Sequence, residues 1–232
     1  MGKRIIQQAR GHGSLSYRVR KAAYKHRIKY PMHEGEAEIL ALIHSAGHTA
    51  PLLKLKIKND IFYNPAFNGA IVGDKITIGT TDIKPGNILI MKNIPAGTNV
   101  YNLEINPGDG GKMMRTAGSN ATVFKKDDFN KVTILMPSKK EVILSGDCRA
   151  TIGIIAGDGR KLKPFIKAGV KFYKMKARNK LWPRTSAVKV NAVDHPFGSG
   201  RGKRIKPKIA KRNAPPGNRV GHIRPRRTGR KK

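Results

Sequence analysis

Leu53-Lys54-Leu55-Lys56-Ile57-Lys58 alternates apolar and basic side chains one for one. Successive residues of a strand point to opposite faces, so a period of two predicts a β-strand with one dry face and one wet face. Working outward, short apolar runs recur at Lys75-Ile76-Thr77-Ile78, Asn87-Ile88-Leu89-Ile90-Met91 and Val100-Tyr101-Asn102-Leu103-Glu104-Ile105. Further runs follow at Val132-Thr133-Ile134-Leu135-Met136, Val142-Ile143-Leu144 and Thr151-Ile152-Gly153-Ile154-Ile155. Turn formers separate them: Asn59-Asp60, Asn68-Gly69, Gly73-Asp74, Lys84-Pro85-Gly86, Asn106-Pro107-Gly108 and Pro137-Ser138. Strands this short, at roughly 8–12-residue spacing, predict a mostly β chain folded into small antiparallel barrels. No stretch reads as a long crossover helix, which argues against a parallel α/β sheet. A boundary near Pro85-Gly86 divides the body into pieces of roughly 50 and 75 residues, each with a small core.

The charge is distributed unevenly. The 232 residues hold 48 Lys and Arg against 14 Asp and Glu, a formal net charge of +34. Residues 1–30 carry nine of the cations and no acid; residues 31–159 carry 14 cations against 13 acids; residues 160–232 carry 25 cations against Asp194 alone. A nearly neutral body is therefore flanked by two basic arms. Such a field opposes compaction unless a polyanion neutralises it, and each phosphate neutralised releases a counterion. Nucleic acid is the expected partner. No apolar run approaches the roughly 18 residues that span a bilayer, and Met1–Gln7 has no apolar leader segment, so neither a membrane partner nor secretion is expected. A single Cys148 excludes an internal disulfide and a cysteine-built zinc cage, which fits a cytoplasmic location. From residue 191 onward the chain is rich in Gly, Pro, Lys and Arg, a composition that predicts extended peptide ordered only against a partner.

Several motifs invite a chemical reading. Gly108-Asp109-Gly110-Gly111-Lys112 resembles a nucleotide phosphate loop, but that loop needs Gly where Asn106 stands and Ser or Thr where Met113 stands. What remains is a glycine loop, either an ordinary hairpin or a place where bare backbone approaches phosphate, followed by the basic pair Lys112 and Arg115. His44 and His48 have the i,i+4 spacing of a helical metal pair, but no third ligand is near and Gly47 weakens any helix, so no metal is expected. Cys148 lies beside Arg149, yet in a strand-like segment that reads as a small buried residue rather than a nucleophile. Lys176-Ala177-Arg178-Asn179-Lys180-Leu181-Trp182-Pro183-Arg184 interleaves four cations with the only Trp. Guanidinium and indole both stack on bases and lysines bind phosphate as point charges, although Trp182 can equally anchor a core. Asp194-His195 has the form of half a catalytic dyad, in which Asp194 would either accept from the ring or bind its own backbone in a turn; a structural pair has the same form.

These residues carry a resemblance. Cys148-Arg149-Ala150-Thr151-Ile152-Gly153, Asn191-Ala192-Val193-Asp194-His195-Pro196-Phe197-Gly198 and Asn106–Lys112 are similar to signatures of the family of the second protein of the large ribosomal subunit. Arg212-Asn213-Ala214-Pro215-Pro216-Gly217 and Arg227-Thr228-Gly229-Arg230 resemble the tail of its archaeal branch, as does Phe197 in place of a second His. The chain departs from the pattern at Ser199, where relatives usually have Gly, and at Ser186-Ala187, where archaeal relatives tend to have Arg-Gly.

The resemblance implies an oligonucleotide-binding-type barrel over 31–84 and an SH3-like barrel over 85–165. Long basic extended arms over 1–30 and 166–232 would thread into large-subunit ribosomal RNA near the peptidyl-transferase region. It implies a structural, RNA-binding and non-enzymatic protein without cofactor. Its partners would be that RNA, neighbouring ribosomal proteins, the small subunit at the subunit interface and, indirectly, tRNA. The residues expected to meet RNA are Lys112, Arg115, Arg149, Lys176, Arg178, Lys180, Trp182, Arg184, Asp194, His195, Arg201, Lys203 and Arg204, with His195 matching the functional histidine of the family.

Overall fold

A computed structural model describes residues 4–14, 17–127, 129–203, 209–210 and 213–223. Ten strands form one sheet: β1 (Gly35–Ile43), β2 (Leu52–Ile57), β3 (Asp60–Pro65), β4 (Lys75–Ile78), β5 (Ile88–Ile90), β6 (Asn99–Tyr101), β7 (Ala121–Asp127), β8 (Lys131–Leu135), β9 (Glu141–Ser145) and β10 (Arg149–Ile152). Their order is β3-β2-β1-β4-β5-β10-β6-β7-β8-β9. Every pairing is antiparallel except β4 with β5, which meet in parallel at Ile78 and Ile88. The mostly β reading is thus borne out, and β2 buries Leu53, Leu55 and Ile57 as the alternation requires.

The sheet serves two apolar clusters. One gathers Ile39, Leu53, Leu55, Ile57, Ile76, Ile78, Ile88 and Tyr101; the other gathers Leu89, Met91, Val100, Val123, Val132, Ile134, Cys148 and Ile152. Adjacent residues divide between them: Ile88 enters the first and Leu89 the second, and Tyr101 and Val100 divide likewise. The two-residue period makes this possible, since a strand between two cores has no wet face. A buried hydrogen-bond chain also crosses this region. Asn64 Nδ2 donates to Thr151 Oγ1 (3.1 Å), whose hydroxyl meets that of Tyr30 (2.7 Å), and Tyr30 donates to the Asn102 carbonyl (2.7 Å).

β6 ends earlier than the run 100–105 suggested. Asn102 adopts a left-handed φ of 49°, and Leu103 turns to bridge with Met113. Glu104 thereby comes to lie in the interior rather than on a wet strand face.

The basic arms also contain more structure than their charge indicated. Tyr30 sits in the first core, Ile28 pairs with Tyr63, and Ala23 is buried in a short 3₁₀ turn (Lys21–Tyr24). An aromatic or β-branched side chain can bury enough area to hold a basic segment down. Residues 166–177, expected as extended peptide, include helix α2 (Ala168–Ala177), whose Ala, Lys and Met are good helix formers. These belong to one compact unit, residues 20–178; the described parts of 4–19 and 179–223 form a second. The second unit contains helix α1 (Ile6–Gly11) and a parallel pair of two-residue strands, β11 (Ile209–Ala210) and β12 (His222–Ile223).

Candidate nucleic-acid interface

The glycine loop faces inward. Glu104, fully buried, sits beneath it and accepts four hydrogen bonds. Gly110 N–H (3.0 Å) and Arg149 Nη2 (3.1 Å) donate to Oε1; Gly108 N–H (3.2 Å) and Arg149 N–H (2.8 Å) donate to Oε2. Asp109 takes the amides of Ile105, Asn106 and Gly111. The expected approach of bare backbone to phosphate is therefore corrected at Gly108, Gly110 and Gly111: carboxylates of the chain itself occupy their amides. Gly110 and Gly111 serve close packing instead. A Cβ on Gly111 would lie 2.3 Å from Asn102 Oδ1, and one on Gly110 would lie 2.9 Å from Lys29 Cγ.

Arg149 completes this arrangement. Its side chain is 19% exposed, Nη1 donates to the Pro31 carbonyl at 2.7 Å, and the guanidinium lies 5.2 Å from the Tyr30 ring centroid. A guanidinium engaged with a buried carboxylate, a carbonyl and an aromatic face is part of the loop's support. Burial pushes the Tyr30 phenol well above its ordinary range, against the opposing charge of Arg149.

Other predicted cations have no carboxylate partner among the described residues. Lys112 and Lys176 are exposed on the first unit and have no carboxylate within 4 Å among the described residues. Arg115 is half-buried, donates to the Gly111 carbonyl at 3.0 Å and has its pKa lowered by burial. Arg178 is half-buried too, its pKa lowered by burial and then by the charge of Arg160. On the second unit Lys180, Arg184, Arg201 and Lys203 are exposed and likewise unpaired among the described residues. Trp182 is half-buried. Arg204 lies outside the described residues.

His195 occupies a turn in which Asp194 N–H donates to the Asn191 carbonyl and Gly198 N–H to the His195 carbonyl. Its Nδ1 accepts from the Phe197 N–H at 3.1 Å, and the two rings pack at 5.2 Å. The Nδ1 nitrogen thus meets backbone rather than the Asp194 carboxylate, for which the ring is one of the two expected partners. An Nδ1 that accepts leaves the neutral ring's proton on Nε2, so His195 presents a donor to its surroundings. Together with Arg4, Gln8, Val193, Pro216 and Asn218 it lines a largely polar cavity of about 420 Å³. Gln8 and Asn218 gave no local sequence signal; distant segments bring them to His195.

Among comparisons with known proteins, residues 84–217 match the family model described as Ribosomal Proteins L2, C-terminal domain. The whole chain is 43% identical over 244 residues to the large ribosomal subunit protein uL2 of Methanococcus maripaludis, and 45% over 239 residues to that of Hyperthermus butylicus, with all of both chains covered in each case. Identity to the uL2 protein of Archaeoglobus fulgidus is 43% over 235 residues, covering 99% of each chain.

Proposed function

The chain belongs to the uL2 family of large ribosomal subunit proteins, and from that premise we propose that it is a structural constituent of that subunit that binds its ribosomal RNA near the peptidyl-transferase region. One observation carries the RNA contact: Lys112, Lys176, Lys180, Arg184, Arg201 and Lys203 are exposed without carboxylate partners among the described residues. Arg115 and Arg178 add to these cations on the one unit, and Trp182 and the His195 turn add to those on the other, whereas Arg149 acts behind by holding the 106–111 loop. The first apolar cluster corresponds to an oligonucleotide-binding-type barrel and the second to an SH3-like barrel. Neighbouring proteins and the small subunit complete its partners, and tRNA placement benefits indirectly. The chain is not an enzyme.

Salt dependence tests this reading. Affinity of the full chain for deproteinised large-subunit RNA should fall linearly on a log–log plot against salt. Replacing Lys112, Lys176, Lys180 and Arg184 together by Ala should flatten the slope by roughly 3, at about 0.7 per phosphate contact. An unchanged slope overturns the assignment of those cations.

A further inference from the structure

The 3₁₀ turn Lys21–Tyr24, the segment after β1 and the C-terminal half of α2 enclose a cavity of about 310 Å³, at the lower end of ligand-pocket sizes. Its floor is made of Ala22, Ala23 and Ala46, its wall includes Tyr173, and Arg20 and Lys176 also line it. The floor is preformed. Ala23 N–H donates to the Arg20 carbonyl (2.9 Å), and the Ala23 carbonyl accepts from Gly47 N–H (2.7 Å) and Ser45 Oγ (3.3 Å). Gly47 is required there, because a Cβ would stand 2.1 Å from the Ala23 oxygen. Tyr173 is 69% exposed, and Phe172 meets it edge to face at 5.5 Å.

Next along the chain the character changes from apolar to cationic. Arg178 directly follows the Ala177 that lines the cavity, and it lies within electrostatic reach of Arg160 and His48. The Nε atoms of Arg178 and Arg160 are enclosed without a hydrogen-bond partner, and neither guanidinium has a carboxylate within 4 Å among the described residues. Two like charges held together in this way favour an anion between or beside them. α2 itself buries no residue.

An alanine floor, an exposed phenol ring and flanking cations match one unit of one polymer. A nucleobase has an apolar face that stacks on Tyr, and it is attached to a phosphate. Taking as its basis the RNA-binding reading above, we propose that this cavity receives a single extruded base of large-subunit ribosomal RNA, stacked against Tyr173, with Arg178 and Arg160 holding the adjoining phosphate. Arg20 and Lys176 contact the flanking backbone. The choice of RNA over a protein partner rests on the cations, because an apolar protein side chain would leave Arg160 and Arg178 uncompensated.

The test uses the full chain bound to deproteinised large-subunit RNA. A benzophenone amino acid at position 173 should crosslink to one unpaired nucleotide. That nucleotide's pairing edge should be protected from base-modifying reagents by the unaltered chain. Ala46→Leu, which fills the cavity from an exposed position, and Tyr173→Ala should each remove that protection and weaken binding on the order of tenfold, whereas Tyr173→Phe should retain both. Arg160→Ala/Arg178→Ala should weaken binding and reduce the salt slope. Thermal melts confirm that the variants fold; should Ala46→Leu fail to fold, Tyr173→Ala decides alone. Unchanged affinity and unchanged base protection in Tyr173→Ala overturn the base pocket while leaving the RNA-binding reading intact. Crosslinks from position 173 to another ribosomal protein in native subunits, and none to RNA, overturn it equally. Failure of the unaltered chain to bind the RNA overturns both.

Discussion

Glu104→Gln tests whether the 106–111 loop rests on a buried carboxylate. The carboxylate accepts from Gly108 N–H, Gly110 N–H, Arg149 N–H and Arg149 Nη2, two on each oxygen. Glutamine keeps one acceptor oxygen and turns an NH₂ donor towards the other pair, so two donors lose their partner in either orientation. Hydrogen bonds to a charged group contribute about 1.5–3 kcal/mol each, which places the loss at about 3–6 kcal/mol. Removing one partner of a buried ion pair costs about 3–5 kcal/mol by a separate route. Both converge on about 4 kcal/mol, a large share of the roughly 5–15 kcal/mol that holds a folded domain. For a chain of this size each kcal/mol moves Tm by about 2–4 °C, so calorimetry of the RNA-free protein should show a drop of about 8–16 °C. Glu104→Gln/Arg149→Met should recover part of it, since removing both charges of the pair leaves no unpaired buried charge. A single variant that melts within about 2 °C of the unaltered chain would show that the four contacts are not what holds the loop.

Cys148 should be inert: burial, then the charges of Glu104 and Asp109, push its thiol up to about 11, so iodoacetamide near pH 8 should label only unfolded protein, and labelling of the folded chain at the unfolded rate refutes this. Burial, then the charges of Arg115, His26 and Arg178, hold the His48 imidazole below its ordinary value of 6.5, with Tyr24 packed edge-on at 5.4 Å. A depressed pKa means that the folded chain binds fewer protons, so stability is full above 6.5 and declines as pH falls below it; urea midpoints should drop more steeply with acid in the unaltered chain than in His48→Gln, and equal slopes refute this. His195→Ala should impair assembly or subunit joining yet leave single-turnover peptide release nearly unchanged on correctly sedimenting particles. A loss of about 10²–10⁴-fold in that step would instead mark a general base.

The strands were legible where alternation was strong and hidden where it was diluted. β2 announces itself because Lys54 and Lys56 mark the opposite face from Leu53, Leu55 and Ile57. β3 does not, since Asp60, Asn64 and Pro65 are poor strand formers, and Asn64 is buried for its hydrogen bonds to Thr151 and Asn102 rather than for hydrophobicity. β7 was missed because Phe124 points outward beside Lys125 and Lys126, where a bulge shifts the register against β8. At the site, charge totals located the cations but not their uses. Arg149 and Arg178 read alike along the chain. Only the 45-residue separation closed by the fold shows that Arg149 has Glu104, whereas Arg178 has another cation beside it.

That contrast explains why a body of 14 cations and 13 acids can still present a positive face. Most of its resolved ion pairs, Lys75–Glu36, Lys84–Asp82, Lys92–Asp147 and Lys125–Asp127, lie at the surface, where water and salt screen them. Their effect on stability is small; their effect on the field is large, because they neutralise the lysines they touch. Glu104 acts differently, by turning Arg149 and two loop amides inward. The positive field that remains comes from cations without acids, Lys112 and Arg115 within this body and Arg160, Lys176 and Arg178, which follow it in the same compact unit. Adding an acid beside Lys112 or Lys176 should weaken RNA affinity at low salt far more than it alters melting, because an exposed charge changes long-range attraction more than it changes the fold.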